Sequence, residues 1–417
     1  MKVAFLTLGC KVNSYETEKM KLQMEQAGHL VVSFQEAADV YIINTCTVTN
    51  IADRKSRKML HRARRMNENA IVVAAGCYVD SARQRGEVDD SVDIFLSNAD
   101  KDTMVEVIEE AVRKKGLQVS QETSSAGEHI SGAARAEEHT RAYIKVQNGC
   151  NQYCTYCIIP YVRGPLTSRA PQEVVAEAER LAGQGVQEVV LTGIHLSSYG
   201  VDWRNEKIDA NTFLQQQGEP LLQLIRQISR VDGIERIRLG SLEPRIITEE
   251  FAGKLAEIPE VCPHFHLSLQ SGCDATLRRM NRHYTTEEYL EKLRILRKYF
   301  EHPAVTTDII VGFPQETQEE FETTCAFARK AGFAQIHVFK YSRRKGTIAD
   351  AMDGQMEENC KAQRSDTLLA VEQELESEYL SYFMDRVEEV LLEEVTQIDG
   401  KDYLIGYNER YVRIAVP

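Results

Sequence analysis

Residues Cys150 to Arg169 read CNQYCTYCIIPYVRGPLTSR, with cysteines at 150, 154 and 157 in the spacing C-x3-C-x2-C. Spacing this tight lets three thiolates from one loop face a single small inorganic centre. A [4Fe–4S] cube takes one thiolate per iron, so three leave one iron open to a small molecule. Zinc is the competing reading. It favours four nitrogen or sulfur ligands in spaced pairs, and no further Cys or His follows Cys157 within thirty residues. Unrelated thiols are a third reading, but a free cysteine is usually an isolated buried hydrophobe.

Outward from this loop the chain alternates short apolar runs with longer amphipathic ones. Strands are expected at Tyr143–Gln147, Glu188–Thr192, Arg236–Leu239, Phe265–Leu269, Thr306–Val311 and Gln335–Tyr341. Helical stretches fall between them, with Pro171 and Pro220 in first-turn positions and Thr317 with Glu320 as a capping box. Six β/α units predict a partial (β/α)6 barrel, which works at the C-terminal ends of its strands. Those ends carry Thr192, Gly193, Gly240, Ser241, Glu243, Gln270, Gly272 and Gly312. Glycines there allow close backbone approach to a ligand, and Ser241, Glu243 and Gln270 are hydrogen-bonding candidates. His195 is a candidate ligand contact, read by default as a satisfied loop histidine.

Toward the N-terminus, residues 1–116 predict a smaller α/β domain with a parallel sheet. VAFLTL (Val3–Leu8), VYIIN (Val40–Asn44), IVVAA (Ile71–Ala75) and DIFLS (Asp93–Ser97) are the strands, with helices at Ser14–Gly28, Ile51–Met66 and Lys101–Lys115. Each of the first three strands is followed by a cysteine: Cys10, Cys46 and Cys77. In an open α/β sheet ligands gather at the carboxyl ends of strands. These three therefore predict a second cluster with one open iron, against the bland alternative of three buried thiols. Residues 117–140 read as a linker, rich in Ser, Ala, Gly and Glu. The barrel domain is expected over 141–372 and a small β domain over 373–417.

Composition is that of a globular protein: 43% hydrophobic and 27% charged over 417 residues. No apolar run is long enough to span a membrane. Ten cysteines and no signal peptide point to a reducing, cytoplasmic setting and to metal chemistry rather than disulfides. A net charge of −13 means that any nucleic acid must meet a local basic surface. From Arg54 to Arg65 the chain holds Arg54, Lys55, Arg57, Lys58, Arg62, Arg64 and Arg65 with no acid between them. Phosphates require this kind of surface, although a charge run is more often a solvated face. Arg278, Arg279, Arg282 and Arg343–Lys345 are weaker candidates.

The chain resembles one family along nearly its whole length: the radical S-adenosylmethionine (SAM) methylthiotransferases. LGCKVNSYETE, GCNQYCTYCIIPYVRG, QSGCDATLRRMNRHY and YSRRKGTIADAM are most similar to its MtaB type, which acts on N6-threonylcarbamoyladenosine in tRNA. The resemblance implies two [4Fe–4S] clusters and two SAM molecules. One SAM methylates a sulfur held at the N-terminal cluster. The other binds the Cys150/Cys154/Cys157 cluster with Tyr156 near its adenine, and is cleaved to a radical that takes hydrogen from C2 of the adenosine. Strand-end residues would hold SAM. The resemblance also implies a C-terminal TRAM domain, an OB-like β-barrel, left short by the few strands after Tyr382 and poor in positive charge. Two stretches depart from the family's pattern. RGPLTSR stands for a more basic R-G-R-x-R-S-R, with Pro165 and Leu166 intervening, and GFPQET stands for GFPGET, with Gln315 in place of glycine.

The expected partners are tRNA, contacted by Arg54, Lys58 and Arg62, and a flavodoxin- or ferredoxin-like one-electron donor, with the enzyme a monomer. A threonylcarbamoyl carboxylate calls for a cation, and Arg163, Arg343 and Arg344 are the candidates, although Arg163 equally suits a bracing role beside the cluster. The alternatives are a methylthiotransferase for isopentenyl-adenosine in tRNA or for a ribosomal protein aspartate, an electron carrier, and a zinc-stabilised RNA-binding protein without chemistry.

Overall fold

The computed structural model describes residues 1–116, 140–204 and 209–417. Apart from Thr140, the expected linker lies outside the described residues. The chain forms two compact units. The first comprises residues 1–116 with Tyr156–Pro165 and Ser342–Asp350; the second holds the remainder.

The first unit is built on a five-stranded parallel sheet. Its strands are β1 (Lys2–Thr7), β2 (Leu30–Val32), β3 (Val40–Thr45), β4 (Ile71–Gly76) and β5 (Ile94–Leu96), in the order β2-β1-β3-β4-β5. Every residue of β3 and β4 is buried, as expected of central parallel strands covered on both faces. Met20 and Met24 from the helix Lys11–Gln26 pack on one face with Ile108 and Val112. Leu60 and Ala63 from the helix Asn50–Met66 pack on the other. Sequence patterning missed the edge strand β2 and the helix Cys77–Arg85. That helix is only nine residues long, bounded by Gly76 and a left-handed Gly86. The segment Ile159–Arg163 is a further short helix of this unit, and Ile158 and Val162 pack on Cys77.

In the second unit β6 (Arg141–Lys145) is followed by a small antiparallel ladder, β7 (Gln147–Asn148) with β8 (Thr167–Ser168), which closes the base of the cysteine loop. Then come β9 (Glu188–Thr192), β10 (Arg236–Leu239), β11 (His264–His266), β12 (Ala304–Val311) and β13 (Gln335–Lys340). They form two parallel sets of three, β6-β9-β10 and β11-β12-β13, joined by single bridges at Ile237–Val261 and Leu242–Leu267. This is the expected six-stranded open barrel with helices outside. The capping box at Thr317 and Glu320 is present, and a second one at Thr285 and Glu288 starts the helix Thr286–Tyr299. The fourth strand is shorter and earlier than the apolar run suggests. Beyond His266 the chain turns to bridge both neighbours, and Gln270 adopts a left-handed backbone.

The long helix Glu358–Ser381 leads to an antiparallel sheet of β14 (Leu391–Ile398), β15 (Lys401–Tyr407) and β16 (Arg413–Val416). Among the described residues this sheet has three strands and stops short of a closed barrel. Arginines at the N-terminal ends of the barrel strands hold it in place. Arg236 donates to the carbonyls of Tyr407 (3.0 Å) and Glu389 (3.1 Å). Arg141 donates to the Tyr411 hydroxyl at 2.8 Å and pairs with Glu188 and Glu393. Arg238, 1% exposed, pairs with Glu188 at 2.8 Å and lies over the Tyr411 ring.

Candidate active site

In the first unit the three cysteines follow β1, β3 and β4, which are consecutive in the sheet. The backbone is drawn tight around them. A β-carbon at Gly9 would lie 2.8 Å from Cys46 Cβ, and one at Gly76 2.6 Å from Asn44 Oδ1, and both glycines have positive φ. Only glycine meets both demands. Cys77 opens the helix Cys77–Arg85, so its sulfur sits at a positive helix end. The side-chain amide of Asn98 donates to that sulfur at 3.7 Å. Burial pushes the Cys46 thiol up to about 11, and the proximity of Cys77 and Cys10 adds to the rise.

Beside these thiols lies a buried charged network. Arg163, its side chain fully buried, donates to Glu16 Oε1 at 2.9 Å and to Asn13 Oδ1 at 2.6 Å. Lys101 pairs with the same Glu16 and donates to Asn44 Oδ1. Burial opposes the charge on Arg163, but Cys77, Glu16 and Cys10 outweigh it and hold the guanidinium protonated. Two cations against one carboxylate suit a site whose ligands are thiolates. Sequence reading names Arg163 but not its partners: Asn13 and Glu16 lie inside the motif LGCKVNSYETE without a role of their own, and Lys101 reads as the start of a helix.

In the second unit Cys150 accepts a hydrogen bond from the Gln152 amide at 3.5 Å, and burial pushes its thiol up to about 12. Cys154 accepts one from Arg282 Nη1 at 3.3 Å. Arg282 also donates to the Ser268 carbonyl and to the Tyr284 hydroxyl, so it serves the cysteine loop rather than a surface. Arg279 is taken up by Glu320. Tyr156 and Cys157, both partly buried, open the second stretch of the first unit.

The strand ends are occupied in specific ways. Thr192 is buried and Ser241 exposed. Glu243 is buried and pairs with Arg245 at 2.6 Å. Gln270, also buried, pairs with β12 through its backbone. Beside the four strand-end glycines the space is filled by the protein itself: Gln147 at Gly193, the Leu191 carbonyl at Gly240, Phe327 at Gly272 and Lys361 at Gly312. Their physical role here is close packing of the chain. His195 is held neutral, burial with Arg282 and Arg245 pulling it down to about 3. Its Nδ1 meets Ser198 Oγ at 2.6 Å, while its buried Nε2 has no partner among the described residues.

The basic helix Asn50–Met66 exposes Arg54 and Lys58; Arg62 is partly covered and donates to Gln35. Arg344 is 3% exposed, donating to Asp53 at 2.8 Å and to Thr47. Arg343 keeps about half its side chain exposed and pairs with Asp350 at 2.9 Å. Leu166, one of the departures from the family's basic stretch, is a core residue of the second unit.

Residues 144–328 match the radical SAM superfamily, and residues 2–97 match the uncharacterized protein family UPF0004. The threonylcarbamoyladenosine tRNA methylthiotransferase MtaB of Bacillus subtilis is 37% identical over 99% of this chain and 89% of its own. Its namesake from Aquifex aeolicus is 35% identical over 99% and 98%. The chain belongs to the radical SAM methylthiotransferase family. Relatives named for another modified adenosine are also similar: a tRNA-2-methylthio-N(6)-dimethylallyladenosine synthase of Caldicellulosiruptor saccharolyticus is 33% identical over 93% of this chain and 81% of its own. Among solved structures, the radical SAM methyltransferase TsrM of Kitasatospora setae shares the fold, with a TM-score of 0.56 at 16% identity over 84% of this chain and 77% of that one.

Membership in this methylthiotransferase family brings SAM and [4Fe–4S] clusters as cofactors, and the residues present fit them. Three thiols crowd the end of one sheet beside buried cations, a donor set suited to a cube with one open iron. The unpartnered His195 Nε2 and the arginine on Cys154 mark the strand ends of the second unit as a place built for a polar ligand. Among the described residues no helix is long and apolar enough to cross a membrane.

Proposed function

We propose that this enzyme converts N6-threonylcarbamoyladenosine, 3′ of the anticodon in tRNA, to its 2-methylthio form. The observation that carries this is the 37% identity, over 99% of the chain, to the Bacillus subtilis methylthiotransferase named for that nucleoside. Cys10, Cys46 and Cys77 hold one cluster, and Cys150, Cys154 and Cys157 the other. Bound there, the clusters and SAM supply the methylated sulfur and the radical chemistry that an unactivated C–H bond requires. The chain's own residues bind and orient. Arg282 fixes the Cys154 sulfur, Asn98 the Cys77 sulfur, and Arg163 with Lys101 offsets the negative charge of the N-terminal thiolates. His195, kept neutral, offers Nε2 to SAM as donor or acceptor according to its tautomer. Tyr156, Thr192, Ser241 and Gln270 complete the proposed SAM contacts. Glu243 acts by holding Arg245, and Gly193 and Gly312 act by packing.

Of the three arginines considered for the threonylcarbamoyl carboxylate, Arg163 and Arg344 are buried in ion pairs, so Arg343 is the one that keeps open surface. Arg54, Lys58 and Arg62 meet the tRNA backbone. A flavodoxin- or ferredoxin-like protein supplies the electron to a monomeric, cytoplasmic enzyme. The second reading, dimethylallyl-adenosine as substrate, is favoured by relatives at 33% identity. A competition decides: reconstituted enzyme receives tRNA bearing threonylcarbamoyl-adenosine and tRNA bearing isopentenyl-adenosine, and nucleosides are read by mass spectrometry. Methylthiolation is expected on the first. Methylthiolation of the second alone overturns the proposal.

A further inference from the structure

Three neighbouring strands of the second unit each send one metal-binding side chain to a common point. They are His266 on β11, Asp308 on β12 and His337 on β13, and one donor atom of each lies within 4.8 Å of the others. The strand register explains this. Asp308 stands directly opposite His337 in the β12–β13 ladder, and His266 is opposite Thr306, two residues before Asp308. The middle strand thus carries the carboxylate, with an imidazole on either side. Val305, Ile309, Val311, Phe265 and Ile336 turn to the opposite face, into the core beneath the helices. The three polar residues therefore share the face turned away from the helices. His266 and Asp308 are partly buried and His337 is exposed.

We propose that His266, Asp308 and His337 form a binding site for a divalent transition-metal cation, separate from both cysteine clusters. Charge decides the sign of the ligand. An imidazole that ligates a metal does so through a lone pair and carries no charge, so with one carboxylate the set carries −1, which suits a cation rather than phosphate or carboxylate. Donor chemistry narrows the choice further. Two imidazoles with one carboxylate suit zinc or iron(II), whereas magnesium and calcium favour all-oxygen sets. Geometry agrees. His266 Nε2 and Asp308 Oδ2 are 3.3 Å apart, close to the separation of two ligands about 2 Å from one tetrahedral metal. The other ring nitrogen of His266 lies 3.0 Å from Thr306 Oγ1. The Nε2–H of His266 can donate to Asp308 Oδ2; with the proton on Nδ1 instead, donating to the Thr306 hydroxyl, the Nε2 lone pair faces the site, the orienting contact that metal-bound histidines commonly have. Because all three ligands stand on strands of one ladder, little backbone movement is needed to close around an ion. Three protein ligands leave at least one coordination position for water or another oxygen donor.

The test uses the full chain with both iron–sulfur clusters in place. After treatment with a chelator, the protein is dialysed against micromolar zinc, and zinc and iron are counted together by elemental analysis. Wild type is expected to retain about one zinc per chain with its iron unchanged. His337→Ala, at an exposed position, and Asp308→Asn, which keeps the side-chain shape, are each expected to weaken zinc binding tenfold or more. X-ray absorption at the zinc edge should show imidazole and oxygen and no sulfur. Zinc taken up only as iron is lost, a sulfur shell around the zinc, or equal uptake by the two variants would each overturn the proposal.

Discussion

Gln315 sits at φ +64 in the turn after β12, where the resembling family carries glycine, and its backbone N–H donates to the Gly354 carbonyl at 3.0 Å. A non-glycine residue in this left-handed region costs about 1 kcal/mol, and glycine there forfeits part of that gain through the greater freedom of the unfolded chain. Gln315→Gly is thus expected to raise stability by about 0.5 kcal/mol, and Gln315→Val, whose branched side chain tolerates positive φ worst, to lower it. Urea denaturation reads both; a more stable valine variant would remove the strain argument. This position was legible in the sequence as a departure, but its conformation was not. The same division holds elsewhere. The sequence marks Arg163 and Arg344 as cations near interesting segments, yet their partners Glu16 and Asp53 lie 147 and 291 residues away. No local pattern connects such pairs, so both arginines looked available for substrate.

The basic helix Asn50–Met66 was readable because its apolar period and its charges fall on separate faces: Leu60 and Ala63 are buried while Arg54, Lys55, Arg57 and Lys58 are exposed. Reversing the charge of Arg54, Lys58 and Arg62 is expected to weaken tRNA binding and to flatten its dependence on salt, because fewer counterions are released. SAM cleavage without RNA should be unaffected, and an unchanged salt slope would make the helix a solvated face only. Less legible was how β14–β16 meet the barrel, since the contact runs through Arg141, Arg236 and Arg238 at strand starts that read as plain strand residues. Burial opposes the charge of Glu188 beneath this contact, but the hydrogen bond and charge of Arg238, then Arg141 and Arg236, hold its carboxyl below the ordinary 4.5. A carboxyl depressed by folding adds stability above its unfolded value and loses it as pH falls through the folded one. Glu188→Gln is therefore expected to cost about 3 kcal/mol at neutral pH by leaving the buried Arg238 without a carboxylate. The gap to wild type should close as pH falls below 4.5, and a gap constant across that range would refute the linkage.

Reading the chain in contiguous pieces put residues 1–116 in a domain of their own, because hydrophobic period and turn chemistry are local signals. The structure instead assembles the first unit from three separated stretches, and the added ones matter energetically: Tyr156–Pro165 brings Arg163 to Glu16, and Ser342–Asp350 brings Arg344 to Asp53. A fragment of residues 1–116 loses both arginines and leaves Glu16 with Lys101 and Asp53 with Arg85, so it loses part of the roughly 3–5 kcal/mol that breaking a buried pair outright costs. The fragment is expected to exchange its amide hydrogens far faster than the same segment in the full chain; equal protection would show that the later stretches are dispensable. The same arrangement has a consequence for biosynthesis. On the ribosome, residue 344 emerges 228 residues after residue 116, a delay of roughly ten to fifty seconds at about 5–20 residues per second. Throughout that interval Cys10, Cys46 and Cys77 stand on a scaffold still missing its last arginine, so the cluster proposed at these cysteines is expected to be loaded only after residue 344 has emerged rather than on the earlier nascent chain.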